Sequence, residues 1–313
     1  MKQPIISAIL VSFNTRDLTL RALETLQRAS EGLEIETWMV DNDSRDDSVG
    51  GVRARFPDVN VIEAGANLGF GAANNRAMAR ARGDYFLLLN TDAFLEADAL
   101  RELLDAAERH PRAAVLAPRI LNSDGSRQKS VWPFPTPGNG WIENLGLGWA
   151  LRRFAPHLRQ NHSPDDESKV PWAIGACLLV RREAYEQIGG FDERFWMYAE
   201  ETDWQKSMRE AGWSIVFVPS AVVTHLGGAS GAGSTRTSVE FFRSQERYTR
   251  KHHGALGLLS ARAALLLGQF TRLPFFSLRV LLTPRNERAR AKLKLARWLV
   301  RRCVRESRIA DSG

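Results

Sequence analysis

At 313 residues, 44% hydrophobic and 25% charged, the chain has a soluble-type composition and the length for one large domain or two modest ones. Its net charge of +7 is unevenly placed: from Leu258 onward thirteen Lys/Arg face three acids, so the preceding body is mildly acidic and the tail strongly basic, as suits an anionic surface such as membrane or nucleic acid. Two cysteines, Cys177 and Cys303, exclude a disulfide framework and point to a reducing compartment.

In chain order, Ile5–Val11 is an apolar run too short for a secretory signal, and it reads as a buried first strand. Ser12-Phe13-Asn14 turns into a helix over Leu18–Ala29, with Leu20, Leu23 and Leu26 at helical spacing. Strands at Glu36–Val40 and Val59–Glu63 flank a short helix, Asp47–Phe56. The turn Gly65 to Gly71 opens a helix at Ala72–Arg82, and Tyr85–Leu89 is a fourth strand running into Asn90-Thr91-Asp92. A helix at Leu95–His110 and a strand at Ala114–Ala117 follow. Such alternation predicts an α/β fold, a mostly parallel sheet with helices on both faces.

Regularity breaks at Leu121, and the turn signals, prolines and polar residues between Asn122 and Val170 predict a partly mobile loop region. Order resumes at Trp172 with a small-residue strand, Ala173–Val180, and a helix closed by Gly189-Gly190. An acidic helix from Glu200 ends at Gly212, and a strand, Trp213–Val218, leads to His225. Beyond Leu258 an apolar stretch is interrupted by Arg262, Arg272, Pro274 and Arg279, and no window has the uncharged length of a bilayer span. Arg285–Arg308 then reads as a basic amphipathic helix whose apolar side, Leu293 to Val304 with Trp298, suits an anionic membrane interface; the alternative is packing on the body.

Asn14, Asp41, Asn67 and Asn90-Thr91-Asp92 all follow strand ends, hence lie on the carboxyl edge where open α/β sheets bind ligands. Gly69-Phe70-Gly71 is a partial dinucleotide-type glycine motif, out of place after the third strand, though its amides suit a phosphate. Asp92 and His225 together offer an oxygen and an imidazole nitrogen to Mg²⁺ or Mn²⁺, with diphosphate oxygens and water completing the shell. Alone, His225 reads as a core or capping histidine. Glu200, Glu201 and Asp203 suit any helix start, but beside Trp196, Tyr198 and Trp204 such crowded carboxylates raise one another's pKa, as a general base requires.

In order and spacing, Val11-Ser12-Phe13-Asn14, Val40-Asp41-Asn42-Asp43-Ser44, Asn67 to Gly71, Leu89 to Asp92, Gly175 to Arg182, and Gly189 through Glu200-Glu201-Thr202-Asp203-Trp204 to His225 form one set. This set resembles the inverting family-2 glycosyltransferases of GT-A fold, especially a rhamnosyltransferase-like branch, over residues 4 to about 250. The resemblance implies sugar transfer from a nucleoside diphosphate donor, dTDP-rhamnose favoured and UDP- or GDP-sugars open, to a glycan or lipid-linked glycan. Ser12, Asn14, Asp41, Asn67, Gly69, Asn90, Thr91 and Asp92 would bind the donor, and Asp92 and His225 the metal. Glu201 would be the base, then Asp203, then Glu200; Trp172, Gly175, Trp196 and Tyr198 would line the acceptor side. Asn90 and Glu201 depart from the family pattern, which usually carries Asp at both places. The implied layout is a catalytic domain over 1–257 (donor half 1–120, loop region 121–171, catalytic half 172–257) and a basic tail over 258–313. The partners would be the two substrates and an anionic membrane, not nucleic acid, at the cytoplasmic face. A nucleotidyltransferase is the rival reading, weakened by the lack of an N-terminal glycine loop with a Lys or Arg; a non-catalytic scaffold is a further one.

Overall fold

The computed structural model describes residues 5–146, 165–227, 235–283 and 285–307. The centre of the expected loop region, 147–164, lies outside them. The chain divides into two compact units, one holding 1–134 and 160–244, the other 135–159 and 245–313.

In the first unit, β1 (Ile6–Ser12), β2 (Ile35–Asp41), β3 (Asn60–Glu63) and β4 (Tyr85–Asn90) lie side by side and parallel, in the order β3-β2-β1-β4. Crossovers run through α1 (Arg16–Ala29), α2 (Ser48–Arg55) and α3 (Phe70–Met78). β5 (Ala93–Leu95) precedes α4 (Ala99–Arg109) and β6 (Ala113–Leu121), and β7 (Val131–Trp132) follows. β8 (Ser168–Val170), β9 (Trp172–Ala173), β10 (Cys177–Arg181) and β11 (Ser214–His225) complete the strands, with α6 (Arg182–Ile188) and α7 (Glu200–Glu210) between the last two. α5 belongs to the second unit. β10 inserts antiparallel between β4 and β6, while β11 runs parallel to β6, so β1 to β4, β6 and β11 share one direction in a mostly parallel sheet.

Alternation along the central strands builds two cores. Ala8, Leu10, Leu87 and Leu89 face α1 and α4, whose small and leucine residues recur at helical spacing. Ile9, Phe86 and Leu88 face the opposite way, with α3, Trp204 and Met208. Both faces are therefore dry, as a sheet covered by helices demands. Cys177 is buried in this core, which pushes its thiol pKa up to about 12, so it behaves as a small apolar residue.

Two elements differ from the sequence pattern. The expected helix from Leu95 begins only at Ala99, because Ala93–Leu95 pairs with Val223–His225 and this long-range ladder overrides local propensity. The expected strand Ala173–Val180 is broken at residues 174–176, whose backbone groups are taken by other partners in the site. β11 absorbs Pro219 at an irregularity between Val218 and Val222 and continues to His225.

The second unit contains α5 (Pro137–Asn144), most of α8 (Thr235–Leu282) with a non-helical break at Gly254 (φ 68°), and α9 (Glu287–Ser307). Glu246 accepts from Arg262 at 2.7 Å and from Arg302 at 2.6 Å, clamping α9 to α8. Arg272 bonds the Asn144 side chain and the carbonyls of Glu143 and Asn144. The apolar stripe of α9 expected to meet membrane (Leu293, Ala296 and Leu299, with Ala289 and Cys303) is instead buried in the protein. Amphipathicity shows that a helix face must be covered, not what covers it.

Leu88 is fully buried at the middle of β4. We expect Leu88→Ala to lower stability by about 2–5 kcal/mol, seen as a shifted urea midpoint with unchanged slope.

Candidate active site

Strand register brings the expected donor residues to one edge. Ser12 stands opposite Asp41, and Val11 opposite both Val40 and Asn90, so the tips of β2, β1 and β4 end level. Ser12 itself turns inward, its hydroxyl near those of Thr15 and Thr19 at 3.3 and 3.2 Å. Asn14, at φ 53°, is a brace: its N–H donates to Ser44 Oγ at 2.9 Å, and its Oδ1 accepts from the Arg45 N–H at 2.8 Å. Asp41 Oδ2 accepts from the Ser44 N–H at 3.0 Å. Its Oδ1, like Asn42 Oδ1, is buried with no hydrogen-bond partner among the described residues, an arrangement that a ligand N–H would complete.

The glycine loop is held from two sides. Gly69 N–H donates to Asn67 Oδ1 at 3.0 Å, and Asn42 Nδ2 donates to Gly69 O at 3.0 Å. From the other side, Trp196 donates its indole N–H to Asn67 O at 3.1 Å and accepts from the Phe70 N–H at 3.2 Å. Gly69 has φ 82°, and a Cβ there would stand 1.8 Å from Trp196 O, so only glycine fits. Trp196, expected on the acceptor side, thus braces the donor loop. Trp172 donates its indole N–H to Pro133 O at 3.0 Å, and the Tyr198 ring meets Phe241 edge-on at 5.7 Å.

At the tip of β4, Thr91 and Asp92 are buried. Pairing of Ala93 with His225 carries the imidazole to Asp92, with Nε2 3.3 Å from Oδ1. The other ring nitrogen, Nδ1, donates to Gln128 Oε1 at 2.8 Å, which turns Nε2 toward Asp92. Two ligands at right angles on one Mg²⁺ or Mn²⁺ stand roughly 3.0 Å apart, so this oxygen and nitrogen fit a divalent ion. Among the described residues no cluster of three or more His, Cys, Asp or Glu forms, so the protein supplies two donors here.

The third component is the start of α7. Tyr198 and Ala199 both hold left-handed backbone, φ 69° and 65°, a strained pair that aims the first helical turn. Glu200 and Asp203 are buried, and Glu201 is the most accessible of the three acids. Burial raises the Glu201 pKa, while the nearby backbone amides of Glu201, Gly175 and Thr202 draw it partly back. Glu200 lies well above the usual carboxyl range, through burial first and the Glu201 charge second. Protons thus stay longest on Glu200, leaving Glu201 to ionise. One carboxylate oxygen of each is buried without a hydrogen-bond partner.

Residues 174–176 join this helix to the sheet. Gly175 packs against Glu201, and Ala176 O accepts from the Asn90 N–H at 2.9 Å, two residues from Asp92. Gln205, fully buried on α7, accepts from the Ala173 N–H at 2.9 Å and donates to Ala173 O at 2.7 Å. Asn75 likewise bonds both backbone groups of Phe191. Neither stands out in the sequence, because each acts across a long stretch of chain and its neighbours in sequence form no motif.

Comparison with known proteins follows this geometry. A family model described as Glycosyl transferase family 2 matches residues 7–189. The chain is 35% identical over 233 residues to the N-acetylglucosaminyl-diphospho-decaprenol L-rhamnosyltransferase of Mycobacterium tuberculosis, covering 71% of this chain and 76% of that protein. It is 25% identical over 226 residues to the rhamnosyltransferase WbbL of Escherichia coli K12, covering 69% and 81%. The mannosyltransferase PcManGT of Pyrobaculum calidifontis, solved with GDP-Man and Mn2+, shares the fold with a TM-score of 0.56 and 15% identity, over 100% of this chain and 89% of that one.

Because burial raises the pKa of both carboxyls, Glu200 the more, the folded state binds more protons than the unfolded one above the ordinary value of 4.5. Stability therefore falls as pH rises from there through the raised values. Glu200→Gln should shrink the difference between urea midpoints at about pH 5 and about pH 8. An undiminished difference would remove Glu200 as its source.

Proposed function

This chain belongs to glycosyl transferase family 2, and we propose that it moves rhamnose from dTDP-rhamnose to a hydroxyl of a lipid-linked glycan, with inversion, in cell-surface polysaccharide synthesis. The observation that carries the reading is the Asp92–His225 pair, 3.3 Å apart at the tip of β4, tied through Asn90, Ala176 and Gly175 to a carboxylate that burial makes basic. The names of the rhamnosyltransferase relatives support the sugar, and that of the Mycobacterium protein supports the acceptor class.

In this reading the nucleoside lies along the level tips of β1 and β2, where the free oxygen of Asp41 accepts an N–H of the base. The Asn67–Gly69 loop borders the donor, held rigid by Asn42 and Trp196. Asp92 and His225 hold Mg²⁺ or Mn²⁺, and Gln128 keeps the imidazole in the tautomer that such a ligand needs. When bound, the ion supplies positive charge against the departing diphosphate. Glu201 accepts the proton of the acceptor hydroxyl as that oxygen bonds the anomeric carbon opposite the diphosphate. The carbon–oxygen bond to the diphosphate breaks in the same displacement, so the configuration inverts and no covalent enzyme intermediate forms. Trp172 and Tyr198 flank the acceptor, and Glu200, the deeper acid, keeps its proton and leaves Glu201 the charge. Donor and lipid-linked acceptor meet at the inner face of the cell membrane.

Glu201→Gln should cut kcat by about 10²–10⁴-fold while the apparent donor affinity stays within about twofold. Substantial residual turnover would shift the base to Asp203. For Asp92→Ala and His225→Ala, a thermal-shift titration with dTDP should lose the extra stabilisation that Mn²⁺ gives the unaltered chain. Retention of that increment in both would sink the two-ligand metal site.

A further inference from the structure

Of the two long tail helices, the more cationic one hides its apolar face, and the less cationic one displays its own. On α8, Leu256, Leu259, Leu267, Phe270, Phe275 and Leu278 recur at spacings of three, five or eight residues, which keeps them on one side. All are exposed, Leu256 at 82% and Phe270 at 74% of their surface. The stripe runs about 33 Å at 1.5 Å per residue. Fully solvated side chains of this kind seldom line up by chance on a soluble surface.

Of the three arginines that interrupt this stretch in the sequence, Arg262 and Arg272 lie off the stripe, and Arg279 is exposed beside Leu278 near its end. Arg262 is taken up by Glu246, and Arg272 by the Asn144 side chain and the carbonyls beside it. Among the described residues, Val239–Leu282 is the one helical stretch long and apolar enough to cross a membrane. Its Arg262 and Arg272 side is engaged by protein, however, so only the other side is left for lipid. That is the pattern of a helix lying in an interface.

We propose that the outward stripe of α8 beds into the headgroup–acyl boundary of an anionic bilayer. The proposal rests on the reading that the acceptor is lipid-linked, and it names the surface that brings the site to that acceptor. The charges decide the occupant. α9, in the same compact unit, exposes Arg290, Lys292, Lys294, Arg297 and Arg301. Anionic headgroups complement these cations, whereas a second copy joined through α8 would bring like charges together.

The test is flotation of the full chain with vesicles of phosphatidylcholine alone or with phosphatidylglycerol added. The unaltered chain should float with the anionic vesicles. Phe270→Glu/Leu278→Glu, both solvent-facing, should reduce bound protein by about tenfold or more, with an unchanged melting temperature and unchanged stabilisation by dTDP. Lys294→Glu/Arg297→Glu should lose the preference for phosphatidylglycerol. The proposal falls if the unaltered chain stays unbound or if the double-Glu variant floats equally well. It also falls if light scattering finds a dimer that this variant dissolves, since the stripe would then belong to a second copy. A chain that floats as expected yet releases no nucleoside diphosphate from dTDP-rhamnose would sink the transferase reading and leave the lipid surface standing.

Discussion

The close approach of Gly175 to Glu201 is the joint on which the site depends: a Cβ at Gly175 would lie 3.7 Å from the Glu201 Cβ, and the nearby Gly175 amide draws the Glu201 pKa down. A buried carboxylate with little hydration ionises reluctantly, and amide donors restore enough stabilisation to keep it an acceptor of protons. Gly175 can come this close because residues 174–176 leave the sheet between β9 and β10, and Ala176 spends its carbonyl on Asn90. One short irregular segment thus ties the helix that carries Glu201 to the strand that leads to Asp92. An uninterrupted strand here would use those groups in its own ladder.

Rigidity around this joint comes from polar side chains that mimic backbone. Gln205 pairs with both groups of Ala173, and Asn75 with both groups of Phe191. Gln205 is fully buried and Asn75 half-buried, and the two satisfy backbone that the irregular chain would otherwise orphan. Left-handed backbone at Asn14, Asp43, Asp47, Tyr198 and Ala199 collects in the loops of the same edge. The surrounding sheet is regular, so strain is confined to the segments that meet ligand.

Much of this was legible in the sequence. The tips at Ser12, Asp41 and Asn90 follow from apolar runs of strand length, and register then makes them level. The meeting of Asp92 and His225 was readable from motif order, although β5, whose pairing with β11 achieves it, does not stand out ahead of the helix expected from Leu95. Asn14 and Trp196 were visible as residues of note but not in their positions: each braces a loop, and such contacts depend on chain brought close only by the fold. The tail shows the same limit. The sequence reads as an interrupted apolar stretch followed by one basic amphipathic helix, and only packing reveals that the apolar face of α9 is largely covered and that of α8 is not.

The central claim, that Glu201 takes the proton beside an Asp92–His225 ion site, is tested most directly by a crystal structure of the chain with Mn²⁺, dTDP and an acceptor alcohol. The account predicts one ion on Asp92 and His225 and the Glu201 carboxylate within about 2.6–3.2 Å of the acceptor hydroxyl. A structure with the hydroxyl on Asp203 instead, or with the Glu201 carboxylate turned away from the bound ligands, would contradict it.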